Sequence, residues 1–194
     1  MLRARLVDAV MVGLCLGTLT ACNSQPEREY LLPRTLCGLK VPDSLYAPLF
    51  RPGSKVDVEQ DHAWGGRSEY GSQGCTYFVD GDFAVRISGD WRYSRENSRP
   101  TLPLAVLGEE PASKPRKYAR TYRTATNLGG AAAVLKCSPS GADGPDRYML
   151  QVSVNAYKFA QDWDEAREPL GKLVQAAMAK VEARLPCKGK KPPA

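Results

Sequence analysis

The chain has 194 residues, with 27 Lys and Arg against 21 Asp and Glu and a formal charge of +6. That length favours one domain with a proper hydrophobic core, and a basic balance speaks to non-specific association with polyanions rather than to fold. A single histidine, His62, and the lack of any CxxC spacing remove most zinc geometries.

The N-terminus has the order of a secretory signal. Arg3 and Arg5 make a basic start, and the run from Ala9 to Leu19 carries no charge. Such a run is too short to span a bilayer core, which needs ~20 residues. Asp8 departs from the pattern. The residues that follow, Leu19, Thr20, Ala21 and Cys22, read "LTAC". They resemble the bacterial lipobox, in which the cysteine thiol takes a lipid and becomes the first residue after cleavage. The resemblance implies lipidation at Cys22, residues 1–21 as a signal peptide, and a chain held by its lipid on the extracytoplasmic face of the cell membrane. An ordinary cleaved signal and an uncleaved apolar N-terminus are the alternatives. At ~0.8 kcal/mol per buried methylene, one acyl chain binds marginally and two or more anchor stably. Loss of residues 1–21, which carry Arg3, Arg5 and Asp8, lowers the formal charge to +5.

Residues 22–35 are polar, carry two prolines and read as a tether. Residues 36–187 form the single domain, and 188–194 a basic tail. In "CGLKVPDSLYAPLFRPG", Pro42 suits the first turn of a short helix. Leu45 and Leu49 then face inward, and Pro52-Gly53 ends it. Residues 54–74 are charged and Gly-rich, a loop with a short extended piece at Val56 to Val58.

"CTYFVDGDFAVRISGDW" is a hairpin: Asp80-Gly81 supplies the positive φ angles of a tight turn. Phe83, Val85 and Ile87 alternate with Ala84, Arg86 and Ser88, so one face is buried. Four prolines argue against regular structure over 92–116, where the apolar "LPLAVLG" lies across the sheet edge or closes the core. "KYARTYRTAT" reads as a strand, as does "GGAAAVLKC". The strongest strand is "YMLQVSVNAY", in which Leu150, Val152, Val154 and Ala156 alternate with polar residues. An amphipathic helix closes the domain, with Ala166, Leu170, Leu173, Ala177 and Val181 on one stripe. Pro169 blurs its start, and Pro186 ends it.

The fold class is therefore α+β: an antiparallel sheet built from two hairpins, with a short N-terminal helix, a longer C-terminal helix and two disulfides. Cys15 goes with the signal and Cys22 takes the lipid, leaving Cys37, Cys75, Cys137 and Cys187. An even number in an exported chain implies disulfides, and four cysteines allow three pairings. The order of elements favours Cys37–Cys75 with Cys137–Cys187, since each pair staples one terminal helix to its own part of the sheet. Each closes a loop of ~40–50 residues, worth at most ~4 kcal/mol.

The layout across residues 19–187 resembles small actinobacterial lipoproteins that carry an uncharacterised domain. The shared features are "LTAC", a polar tether, "CGLKVPDSLYAPL", "GCTYFV", "GGAAAVLKC", a strand and a final helix. The Pro-rich middle and the Lys-rich tail depart from that layout. The resemblance implies an outward-facing, membrane-tethered domain and no particular activity.

Motifs for chemistry are weak. Ser68 in "GGRSEYG" lacks the glycine two residues on that a nucleophile elbow needs, since Tyr70 stands there. A triad would have to recruit His62, six residues away. Asp80/Asp82, Glu109/Glu110 and Asp164/Glu165 fall in turns or helix starts, where carboxylates cap or solvate. Gly65-Gly66 and Gly129-Gly130 lack the flanks of a phosphate loop. Two basic stretches remain: Lys114, Arg116, Lys117, Arg120 and Arg123 with interleaved tyrosines, and Lys188, Lys190 and Lys191 in the tail. Near an anionic bilayer each such cation adds ~1 kcal/mol of attraction.

No catalytic, metal or cofactor-binding residue is assigned. The expected function is a non-enzymatic binding or interaction module at the cell envelope. Its partners would be the membrane through Cys22, an anionic lipid or wall polymer, and an envelope protein, with no nucleic acid. A cell-wall hydrolase and an accessory subunit of an envelope complex are the alternatives.

Overall fold

The computed structural model describes residues 27–62, 64, 73–94, 116–119, 121–136, 147–156 and 163–184. Cys15, Cys22, Ser68, Glu109, Glu110, Cys137, Cys187 and the tail 188–194 lie outside them, and with them the Cys137–Cys187 pairing.

The described strands are β1 (Val56–His62), β2 (Gln73–Val79), β3 (Asp82–Ser94), β4 (Arg116–Ala119), β5 (Arg123–Thr126), β6 (Gly130–Lys136) and β7 (Arg147–Ala156). They form a single sheet of order β1-β2-β3-β7-β6-β5-β4, antiparallel at every pairing. Among the described residues two helices accompany it: α1 (Asp43–Tyr46), continued by a 3-10 turn at Ala47–Leu49, and α2 (Trp163–Glu182). The α+β class holds, but two hairpins become two meanders, β1–β2–β3 and β4–β5–β6–β7, joined through β3 and β7.

Three local differences from the sequence reading have physical causes. The stretch read as loop with a short extended piece holds the seven-residue strand β1. Its Val56 and Val58 alternate with Asp57, Glu59 and Asp61, a strand pattern written largely in charges. The stretch "KYARTYRTAT" is two strands, β4 and β5, paired as a hairpin. Phe83 leaves the face of Val85 and Ile87, because a bulge at Tyr77/Phe78 shifts the register and sets Phe83 opposite Phe78. Their rings meet edge to face at 6.4 Å.

Asp80 and Gly81 adopt φ of 50° and 82°, the two left-handed positions of a type I′ hairpin turn. Beyond the turn, one face of the sheet carries Cys75, Tyr77, Val79, Val85, Ile87 and Val154, all buried. Helix α2 packs on this face across β5, β6 and β7 and touches α1. It does so with Leu170, Leu173, Val174, Ala177, Met178 and Val181, each fully buried. Pro169 lies inside this helix, which begins six residues earlier. On α1 and the turn that follows, Tyr46, Leu49 and Phe50 are the buried residues, and Leu45 is only partly covered. On the other face of β7, which sits between β3 and β6, Gln151 and Ser153 are buried and Asn155 is exposed. Ser153 meets the Ser88 hydroxyl at 2.8 Å.

A side-chain amide fixes helix and sheet together. Gln175 on α2 donates to the Tyr122 carbonyl at 2.9 Å and to Thr124 Oγ1 at 2.5 Å, and accepts from Tyr122 N–H at 3.2 Å. It thus satisfies both backbone groups of a buried residue at the β4–β5 turn. The Tyr122 hydroxyl donates to the Glu182 carboxylate at 2.5 Å. Burial, then that hydrogen bond and the Glu182 charge, push the phenol far above its ordinary value, so it stays a donor.

Trp64 lies over Gly89 in β3, where a Cβ would stand 2.3 Å from two indole carbons. Gly89→Ala is therefore expected to displace the ring and cost ~1–3 kcal/mol by overpacking, measured by denaturant unfolding. The loss should shrink when Trp64→Ala is already present.

Candidate functional site

Residues 27–35, within the expected tether, lie against the domain. Arg28 donates to the Ala47 and Phe50 carbonyls, Glu29 N–H to the Gly53 carbonyl at 2.9 Å, and the Tyr30 hydroxyl to the Arg51 carbonyl at 2.6 Å. The chain then passes as a strap, residues 33–38, over β2.

The strap is held by four sets of contacts. The Cys37–Cys75 disulfide ties it covalently, with the two Cα atoms 5.6 Å apart. The Tyr77 hydroxyl accepts from Cys37 N–H at 2.8 Å and donates to the Thr35 carbonyl at 3.1 Å. The Tyr46 hydroxyl donates to the Pro33 carbonyl at 2.5 Å. Burial raises the Tyr77 phenol above its ordinary value, partly opposed by the Cys37 N–H. It therefore stays neutral and can keep both bonds. Cys37 and Gly38 both have positive φ, 54° and 73°, which turns the strap sharply toward Leu39. Arg184, at the end of α2, donates to the Gly38 carbonyl.

Between the strap and β1 lies a groove of about 450 Å³, lined by Pro33, Thr35, Val56, Val58, Cys75 and Tyr77 among others. β1 is the edge of the sheet, and among the described residues no strand pairs with its outer side. Asp57, Val58, Glu59 and Gln60 are all exposed, Val58 at 56%. The hydrogen-bond alternation can be read from one end. The Lys55 carbonyl accepts from Asp80 N–H at 3.0 Å, so Lys55–Asp80 is a bonded pair. In antiparallel alternation Asp57–Phe78 and Glu59–Thr76 are bonded pairs too. Val56, Val58 and Gln60 therefore turn their backbone N–H and C=O groups away from β2. These residues also line the groove. On the other face of β1, Asp57 pairs with Lys55 at 2.8 Å and Asp61 with Arg86 at 3.2 Å. These contacts are solvent-exposed and weak.

Of the acids singled out in the sequence, Asp80 and Asp82 have structural roles at the turn. Asp80 accepts from Ser54 N–H, the Ser54 hydroxyl and Lys55 N–H at 2.9–3.2 Å. Arg51 bonds the Asp82 carboxylate and the Val79 carbonyl, both at 2.6 Å. The Ser54 hydroxyl and N–H, helped by Lys55 and Arg51, hold the Asp80 carboxyl below its ordinary value. Glu165 is exposed at the start of α2. The basic run divides among β4, β5 and residues outside the described set, with Arg123 exposed. His62 is the last residue of β1. Among the described residues no group of three metal-ligating side chains occurs, and no helix is long and apolar enough to cross a membrane. The groove was not picked out from sequence, although "VDVEQDH" carries the alternation of its edge strand and "CTYFV" that of its floor.

The chain matches no family model, no curated protein and no solved structure.

Two substitutions test this architecture. Tyr77→Phe leaves a buried Cys37 N–H unpaired and is expected to cost ~1–3 kcal/mol, read from chemical unfolding of the oxidised protein. Asp80→Asn keeps the turn geometry, since Asn tolerates positive φ, but loses the charge. A depressed carboxyl stabilises above its ordinary pKa and loses that contribution as pH falls through the folded value. The wild type should therefore exceed the variant in melting temperature at neutral pH, with the gap closing in acid.

Proposed function

We propose that the chain is a lipid-anchored interaction module on the extracytoplasmic face of the cell membrane, held by acylated Cys22 and binding an envelope partner through its folded domain. The observation that carries this is the Cys37–Cys75 disulfide. Disulfides persist in oxidising compartments and are rare in the cytosol, which agrees with the signal-like N-terminus and the "LTAC" motif. The groove beside the strap supports binding as the role of the domain, since it combines apolar floor, open backbone and exposed charge in one place. Basic residues in the 114–123 run and the tail add attraction to an anionic bilayer.

The test is fractionation of cells expressing the full chain. Cys22→Ser is expected to leave the precursor unprocessed or release the protein from membranes. The wild type should partition into a detergent phase and incorporate a labelled fatty acid. Unchanged membrane partitioning and labelling of the variant would sink the reading.

A further inference from the structure

The open edge of β1 has three properties that together define an occupant. Its Val56, Val58 and Gln60 point their backbone groups away from β2, as the Lys55–Asp80 hydrogen bond and strand alternation require, and among the described residues no strand pairs with them. The same residues, with Tyr77, line a trough on one side, apolar at Val56, Val58 and Tyr77 and polar at Gln60 and at Arg34 of the strap. On the other side Asp57, Glu59 and Asp61 form an acidic row at alternate positions, all exposed. Glu59 stands in the middle of that row with no cation bonded to it among the described residues.

Resting on the reading of this chain as an interaction module, we propose that β1 binds an extended segment of a partner polypeptide as an eighth strand. That segment alternates basic residues with short apolar ones. Backbone hydrogen bonds to Val56, Val58 and Gln60 hold it, in the strand-addition mode of peptide recognition. The basic side chains face Asp57, Glu59 and Asp61. The apolar ones enter the trough over Val58 and Tyr77, with the strap as its far wall.

Charge selects this occupant over a second β1. Antiparallel pairing of two β1 strands centred on Glu59, the register of fullest overlap along Asp57–Asp61, sets Glu59 opposite Glu59 and Asp57 opposite Asp61. Like charges directly opposite are destabilising. Charged edges of this kind are how sheets avoid joining to themselves. The row that opposes self-pairing attracts a basic strand.

The experiment uses the full chain purified in neutral detergent and a fluorescent peptide of about nine alternating Lys and Val residues, long enough to pair along a strand of this size. Anisotropy titration is expected to show saturable binding that weakens as ionic strength rises from about 0.05 to about 0.5 M. A Glu–Val peptide should not bind. Asp57→Lys with Glu59→Lys should weaken the Lys–Val peptide by roughly tenfold or more. Val58→Pro removes one outward N–H and spares the bonds to β2, as edge strands allow; it should abolish binding with the circular dichroism spectrum retained. Peptide N-methylated at alternate residues on one edge should fail on the wild type, which tests strand pairing even if Val58→Pro misfolds. Equal binding of the Glu–Val or N-methylated peptide would overturn the proposal, as would no binding of the Lys–Val peptide. Concentration-dependent self-association lost on Val58→Pro would also overturn it and assign the edge to a second copy. Membrane partitioning of Cys22→Ser is read separately, so the anchor and this edge can fail independently.

Discussion

The pairing of β3 with β7 runs unbroken through ten residue pairs, from Val85–Ala156 to Ser94–Arg147, and everything else is arranged on either side of it. It joins residues 53 to 71 positions apart in sequence, so loop closure must be met before this contact forms. Each meander on its own is a local structure of neighbouring strands. Only the central pair turns two half-sheets into a surface wide enough for both α2 and the N-terminal strap. Val85, Ile87, Val152 and Val154 sit at this seam and are fully buried. The core is thus centred on the junction and not on either meander.

The two halves of the covered face are roofed differently. α2 packs on β5, β6 and β7 with a continuous apolar stripe, and Gln175 and Tyr122 set its position polar group by polar group. The other half is roofed by irregular chain. There the disulfide, the Tyr77 hydroxyl and the Tyr46 hydroxyl do the work that a helix does elsewhere. A roof of that kind is narrow. It covers β2 and stops short of β1, which is why a groove and an open edge exist on this side.

Much of the fold was legible because it depends on local pattern. The Asp80-Gly81 turn, the alternation in β7 and the stripe of α2 are each written within a few residues. What was not legible depends on distant partners. The bulge at Tyr77/Phe78 moves Phe83 to the other face, and nothing in "DGDFAV" announces it. β1 was read mostly as loop because its outward positions are acidic, yet charge on an edge strand is itself a strand feature. Nothing in "CTYFV" marks Tyr77, whose hydroxyl bridges two groups some 40 residues upstream. The Cys37–Cys75 pairing was accessible from the order of elements, since Cys37 precedes the first helix and Cys75 opens the hairpin that follows it.

The disulfide also determines how the molecule bears load. Residues 38–74, which include α1 and β1, lie within the ring that Cys37 and Cys75 close. A pull on the chain N-terminal to Cys37 first peels the contacts of Arg28 and Tyr30. It then crosses directly to Cys75 in β2, an interior strand flanked by β1 and β3. Tension never runs along the ring. The edge strand β1 is mechanically out of the line of force and keeps its shape while the domain is tugged.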